Sequence, residues 1–313
     1  MLFNNKKQKP EKAYDDEQII ANLKQNEQPS GLRVLMREFA KDRWALGALI
    51  VLIIIFLGIF IGALFLKTSK VMTVDIFAQY NKPGTDGMIL GADQGGRDVF
   101  KMLILGGRNS LIIGLSITFL MEIIGIIYGI IAGYYGGLVD NIMMRFLDFM
   151  LVLPTLMLII VLVTVIPHYN IWTFILVMAA FYWVGTARLI RSKALSESRK
   201  DYISASKTSG TSDLKIMFRE LLPNLSSIII VDATLSLAAN IGIEVSLTFL
   251  GFGLPNDVPS LGTLIGYATD PDVLTGMPWV WVPASVLILV LCVGISYVGN
   301  VLRRTADARQ RLG

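Results

Sequence analysis

Ser204-Ala205-Ser206-Lys207 has the S-x-x-K spacing of a serine nucleophile and its lysine, and Lys207-Thr208-Ser209-Gly210 comes near the K-T-G that accompanies it in acyl-transfer enzymes. In those enzymes the two motifs are well separated in the chain and act outside the membrane. Here they overlap on one short segment, so an acyl-transfer site is dismissed. No G-x-x-x-x-G-K-[ST] stretch occurs, so the chain is not expected to bind ATP by itself. The single cysteine, Cys292, leaves no internal disulfide and no cysteine-based metal site. The single histidine, His168, follows Pro167 beside a hydrophobic run and reads as a loop residue at the membrane interface. Neither a metal nor another cofactor is expected.

Three carboxylates, Glu122, Asp232 and Glu244, fall inside apolar runs. A charge within a bilayer is costly, so such groups face a water-filled cavity or a partner. For Glu122 and Asp232 both readings stand: a polar path through the membrane, or hydrogen bonding inside the bundle. Asp148 lies three residues after Arg145, one helical step, and is expected to pair with it. Buried carboxylates also raise the alternative of an ion-coupled secondary transporter. Such proteins carry internal repeats with interrupted helices, and no convincing repeat is visible.

The elements that hold these residues follow from composition. Of 313 residues, 54% are hydrophobic and 17% charged, against about 25% charged in soluble domains. Long windows hold no charge at all, as in a multi-span membrane protein. Six runs are long enough to cross a bilayer: Trp44–Leu66, Leu111–Tyr134, Phe146–Ile166, Ile171–Ala187, Leu225–Leu250 and Trp279–Leu302. Lysine and arginine favour the cytoplasmic side. Nine lie in residues 1–43, eight in 188–223 and four after Leu302, whereas 251–278 has none. Both termini and the segment 188–223 are therefore expected on the cytoplasmic side of a cell membrane, with 67–110 and 251–278 outside. Residues 1–43 read as partly disordered, and the first span as retained rather than cleaved.

The wet stretch DYISASKTSGTSDLKIMFRELLPN lies between the fourth and fifth spans. Tyr202, Ala205, Ser206 and Ser209 recur at i, i+3, i+4, i+7, one helix face that is small apart from the tyrosine. Gly210 suits a left-handed C′ position, and Thr211 or Ser212 can cap a second helix with Asp213 at its positive end. Leu214, Met217, Phe218 and Leu221 give that second helix an apolar face, and Pro223 is expected to mark the break before the next span. From pattern alone, a connector lying on the membrane is an equal reading.

This stretch resembles the cytoplasmic "EAA" loop of ABC-importer permeases, with Ala205, Gly210, Leu222 and Pro223 in the matching places, Ser204 where the family glutamate stands, and Ser206 for its second alanine. GADQGGRD at 91–98, with Asp93, Gly96, Arg97 and Asp98, is similar to the signature of the C-type permease subunit of oligopeptide and dipeptide importers, Ala92 replacing its threonine. GGRNSLIIG at 106–114, GYYGGLVDNIMMRFLD at 133–148, WVGTARLIR at 183–191, EVSLTFLGFGL at 244–254 and LRRTADAR at 302–309 continue the likeness. PNDVPSLG departs from the paired prolines and Ser-Trp-Gly usual there.

The resemblance implies an all-α polytopic protein of six transmembrane helices with the type I ABC-importer permease fold. It implies a cytoplasmic segment 1–43, a first span 44–66, an outer loop 67–110, a five-helix core 111–302 carrying a coupling loop 191–224, and a tail 303–313. Implied partners are a homologous B-type permease subunit, two ABC ATPase subunits that seat the loop's first helix, and an extracellular substrate-binding protein; nucleic acid is not among them. Glu244 matches the family's glutamate in that stretch and is expected to be structural. Peptide is the expected cargo. Nickel or another small solute is the alternative, but a nickel path would gather His, Cys and Met together, and here the methionines are scattered.

Overall fold

The computed structural model describes residues 42–167, 169–255 and 257–312, with side chains described as far as Arg304. The expectations for the N-terminal segment up to residue 41 and for His168 lie outside the described residues. Among the described residues the regular structure is helical. Five helices are long and apolar enough to cross a membrane, and a bent pair supplies a sixth crossing when counted as one span.

Asp42 opens α1 (Arg43–Leu64) by accepting from the Ala45 amide at 3.2 Å, a carboxylate satisfying a first-turn N–H. The second helix, α2 (Val99–Tyr135), begins at Val99 and not at Leu111. Asp98 starts it early, accepting from the Phe100 and Lys101 amides at 3.0 and 3.3 Å. Its 37 residues span about 55 Å at 1.5 Å each, well beyond a bilayer core of about 30 Å. Part of the expected outer loop is therefore the first turns of α2, where Met102 and Leu105 are buried.

The expected third span is not one straight helix. Residues Gly137–Val152 form α3 and Thr155–Val165 form α4, bent by 75°. Leu153 is extended, at φ −69° and ψ 135°, because the ring of Pro154 disfavours helical geometry in the residue before it. Next, α5 (Ile171–Glu197) is capped by Asn170, whose side chain accepts from the Thr173 amide at 3.1 Å, and runs ten residues beyond Ala187.

Helices α2 and α5 form the closest helix pair. A Cβ added to Gly125, Gly129 or Gly133 would come within 2.7 Å of Thr186 Cγ2, 2.6 Å of the Ala187 carbonyl oxygen, or 2.6 Å of Ala194 Cβ. Glycines four apart clear one face of α2, so the backbones approach as they do where small residues line membrane helix contacts.

After α5 comes α6 (Asp201–Thr208), then a four-residue turn Asp213–Ile216, a π-helical turn Met217–Leu221 and α7 (Leu222–Phe249). The stretch Asp213–Phe249 is one continuous helix, so Pro223 does not break it. Proline lacks an N–H and its ring clashes with the carbonyl four residues back. The wide π turn immediately before it absorbs that misfit, with the Leu222 amide donating to Met217 O. Finally α8 (Pro278–Leu312) carries Pro283 inside it and extends past the expected end at Leu302. Large apolar side chains such as Ile54, Leu57, Phe119 and Leu289 remain more than half exposed, as a surface facing lipid requires.

Candidate functional site

The segment between α5 and α7 is built from local chemistry first. Gly210 sits at φ +79°. The Thr211 amide donates to Ser206 O at 3.1 Å and the Gly210 amide to Lys207 O at 3.0 Å, the paired bonds of a Schellman ending. Ser212 precedes the next turn in an extended conformation without a side-chain capping bond. Thr208 and Ser209 turn their hydroxyls back onto the helix, donating to the Ser204 and Ala205 carbonyls at 2.7 and 2.9 Å. The outer surface of α6 is therefore low and internally satisfied.

Tertiary contacts divide the expected face in two. Ser204, Ala205 and Ser209 are exposed, whereas Tyr202 and Ser206 are turned toward their own chain. Ser206 Oγ donates to Glu220 Oε1 at 2.7 Å on the π turn. Asn224 Nδ2 donates to Tyr202 Oη at 3.2 Å, and that hydroxyl lies 3.3 Å from Glu197 Oε2. Burial, followed by the nearby Glu197 carboxylate, holds the Tyr202 hydroxyl above its ordinary pKa, so it remains a donor at neutral pH. Under α6, Ile203 is fully buried with Ile130, Ile190, Ile216, Met217 and Leu221, and Leu222 packs against the same cluster. Tyr134 Oη donates to Asp213 Oδ1 at 2.6 Å, and Lys207 Nζ stands 4.3 Å from the centre of the Tyr134 ring.

The second apolar face is also split. Met217 and Leu221 are buried, while Leu214 and Phe218 are 66% and 47% exposed. A continuous helix with a π turn does not keep the i, i+3, i+4 register from which that face was inferred. Ile203 was the anchor that sequence reasoning missed. Its large aliphatic side chain, without another of its kind in α6, was the signal available.

Deeper in the bundle, Thr186 of α5 donates to Asp232 of α7 at 2.7 Å. Glu122 of α2 is buried with neither oxygen receiving a hydrogen bond, and the ionisable group beside it is Asp232. One helical turn toward the start of α2, Asn240 donates to Thr118 at 2.9 Å. Glu244 is fully buried, accepts from Thr248 at 3.0 Å and is flanked by the Ser110 and Ser260 hydroxyls. Around it Asn109 donates to Pro259 O at 2.8 Å and the Leu261 amide to Ser110 Oγ at 3.2 Å, tying the 259–263 segment to α2.

At the same end Asp93 is fully buried and accepts from the Gly95 amide, the Arg97 amide and Arg97 Nε at 2.8, 3.0 and 2.9 Å. Arg97 Nη2 donates to Tyr267 Oη at 2.5 Å. Burial, with Asp93 close by, pushes the Tyr267 hydroxyl up to about 12. Gly96 has φ +70°, and a Cβ there would fall 1.9 Å from Asp75 O. Thus Asp93, Gly96 and Arg97 shape the loop, and Asp98 caps α2.

Asp148 is bonded to Arg188 of α5, not to Arg145. Helix α3 lies beside α5, whose arginines reach it. A second pair, Arg191–Asp140, joins the same helices, with Nε to Oδ1 at 2.7 Å; sequence reasoning did not find it, because the partners lie 51 residues apart.

Comparison with known proteins follows this geometry. The chain is 50% identical over 276 residues, covering 88% of it and 94% of the relative, to the oligopeptide transport system permease protein OppC of Lactococcus lactis subsp. lactis. It is 32% identical to the protein of that name in Bacillus subtilis, over 88% of this chain and 89% of the relative. It is also 32% identical to the dipeptide transport system permease protein DppC of Bacillus subtilis, over 95% and 94%. Residues 125–311, which include α5, α6, the π turn and most of α8, match the family described as binding-protein-dependent transport system inner membrane component. With its membrane-crossing helices and this match over more than half its length, the chain is a multi-pass membrane protein and a member of that family.

Proposed function

We propose that the chain is one membrane-spanning subunit of an ATP-driven peptide importer, supplying half of the translocation pathway. The observation that carries this reading is the 50% identity, across 88% of the chain, to an oligopeptide transport system permease. Its partners in this reading are a homologous permease subunit, two cytoplasmic ATPase subunits and an external substrate-binding protein. The lysine and arginine distribution supports termini and α6 in the cytoplasm, with 67–98 and 251–277 outside.

In that arrangement α6 is the element the ATPases hold. Its exposed side, with Ser204, Ala205 and Ser209, is small enough for close approach, and the neighbouring Leu214 and Phe218 leave apolar surface uncovered beside it. A displacement of α6 reaches α7 through Ser206–Glu220 and Tyr202–Asn224, both of which end on or next to the π turn. A wide helical turn is a place where a helix can change direction. Glu122, Thr186 and Asp232 act in this reading as a polar contact joining α2, α5 and α7.

The test is reconstitution of the five-subunit assembly in vesicles, followed by uptake of labelled peptide. Uptake is expected to need ATP, both permeases, the ATPases and the binding protein. Peptide transport by this polypeptide alone would refute it.

A further inference from the structure

A cavity of about 420 Å³ opens where α1 ends and α2 begins. Its wall is of two kinds: Phe65, Leu66 and Met88 are apolar, while Lys67, Lys70 and Lys101 bring ammonium groups to the same space. Lys101 pairs with Asp98 at 2.9 Å, and Arg97, also in the wall, is taken by Asp93. Among the described residues Lys67 and Lys70 have no acidic partner, and both are exposed. Approaching the mouth along α1, Leu57, Ile61 and Leu64 are 54%, 51% and 82% exposed at successive turns, and Phe65 at the rim is 84% exposed.

We propose that this cavity binds the anionic head group of a phospholipid, with an acyl chain lying along Leu57, Ile61 and Leu64. The lysines stand just past the end of a membrane helix, at head-group level, where long basic side chains reach to the interface. Basic clefts between helix ends take anionic lipid heads by charge. The apolar row decides between occupants. A free phosphate would use the lysines and leave that row uncovered, and an acidic protein surface would have no use for a track descending into the bilayer. The inference rests on the placement of the cavity at a bundle end and holds for either leaflet, whether or not the cargo is peptide.

The experiment is lipid retention by the intact purified transporter, read by native mass spectrometry with phosphatidylglycerol and phosphatidylcholine as probes. Phosphatidylglycerol is expected to be retained preferentially. The double variant Lys67→Ala/Lys70→Ala should lose about thirtyfold of that retention, with phosphatidylcholine unchanged. Lys67→Arg/Lys70→Arg, which keeps both charges, should retain it, as should Lys82→Ala on an exposed part of the same loop. Undiminished phosphatidylglycerol retention in the double alanine variant overturns the proposal. Displacement of the lipid by soluble glycerol 3-phosphate also overturns it, because the anion alone would then suffice. So does loss of binding-protein capture with lipid retention intact, which would make the lysines a protein-docking site.

Discussion

At the end of the bundle where α1 stops and α2 begins, Asp93, Glu244 and Ser260 are fully buried; Asp93 and Ser260 accept from backbone amides and Glu244 from the Thr248 hydroxyl. At the opposite end α6 is pinned by one buried side chain, Ile203, and by side-chain bonds from Tyr202 and Ser206, while Ser204, Ala205, Thr208 and Ser209 stay exposed. The first arrangement cannot shift without stranding a buried charge, which costs several kcal/mol. The second is held by fewer buried groups, a single core side chain and a handful of side-chain bonds, which marks it as the less stable end. One end is a frame and the other a lightly held element, the division that the proposed coupling to ATPase subunits calls for.

The largest expected effect comes from breaking the frame. Asp93→Ala removes three hydrogen bonds and leaves Arg97 largely buried without its carboxylate. A loss of about 3–5 kcal/mol follows, to be read as a collapse of the thermal-unfolding midpoint in detergent and of membrane yield. An unchanged midpoint would remove the rigid half of the comparison.

Ala205→Arg tests the other half. Ala205 is exposed, so stability should change by no more than about 0.5 kcal/mol. ATPase co-purification and ATP-driven uptake should nonetheless fall at least about tenfold, since a long charged side chain blocks close approach at a cost above about 1.4 kcal/mol. Normal uptake would make α6 a mere connector.

Gly210→Val places a β-branched residue at φ +79°, a strain of about 1–3 kcal/mol. Open space surrounds that position, so strain and not collision is the cause. The variant should reach the membrane yet lose coupling, because α6 is mis-set on its anchor. Retained ATPase stimulation by the binding protein would contradict this.

A smaller effect is expected for Ser206→Ala, about 1 kcal/mol in stability. Its sharper signature is kinetic: ATPase activity persists while peptide moved per ATP declines, as the link to Glu220 is lost. Unaltered stoichiometry would assign the relay to Tyr202 and Asn224 alone.

Glu122→Gln is expected to change least, within about 1 kcal/mol. Its amide can donate to Asp232, giving a side chain whose oxygens now stand without a hydrogen bond a partner of its own. Assembly and uptake should persist. Loss of uptake with full assembly would move Glu122 from a bundle contact to the translocation path.

Residues close in the chain left legible traces in the sequence. Uninterrupted apolar runs imply helices that cross lipid, because an unsatisfied backbone cannot remain there. Gly210 reads as a left-handed ending, which it is, and the resemblance of 91–98 and 201–224 named the family that the comparisons show. Glycines 125, 129 and 133, spaced four apart, were a visible sign of a close helix contact that went unread.

What only the tertiary structure decided was direction and partnership. Periodicity placed Tyr202, Ala205, Ser206 and Ser209 on one face, but Asn224 of α7 and Glu220 of the π turn drew Tyr202 and Ser206 inward. Helical spacing paired Asp148 with Arg145, whereas the packing of α3 beside α5 gave it Arg188, 40 residues on. Pro223 read as a stop and became the sequel to a π turn, since continuing the helix keeps backbone bonds that a break would leave open. Local chemistry is set by neighbours a turn away, so the chain alone determined its apolar runs and its glycine turn, although Ser212, read as a cap, makes no side-chain capping bond. Which side of a helix faces in depends on residues many turns distant, and only their packing fixes it.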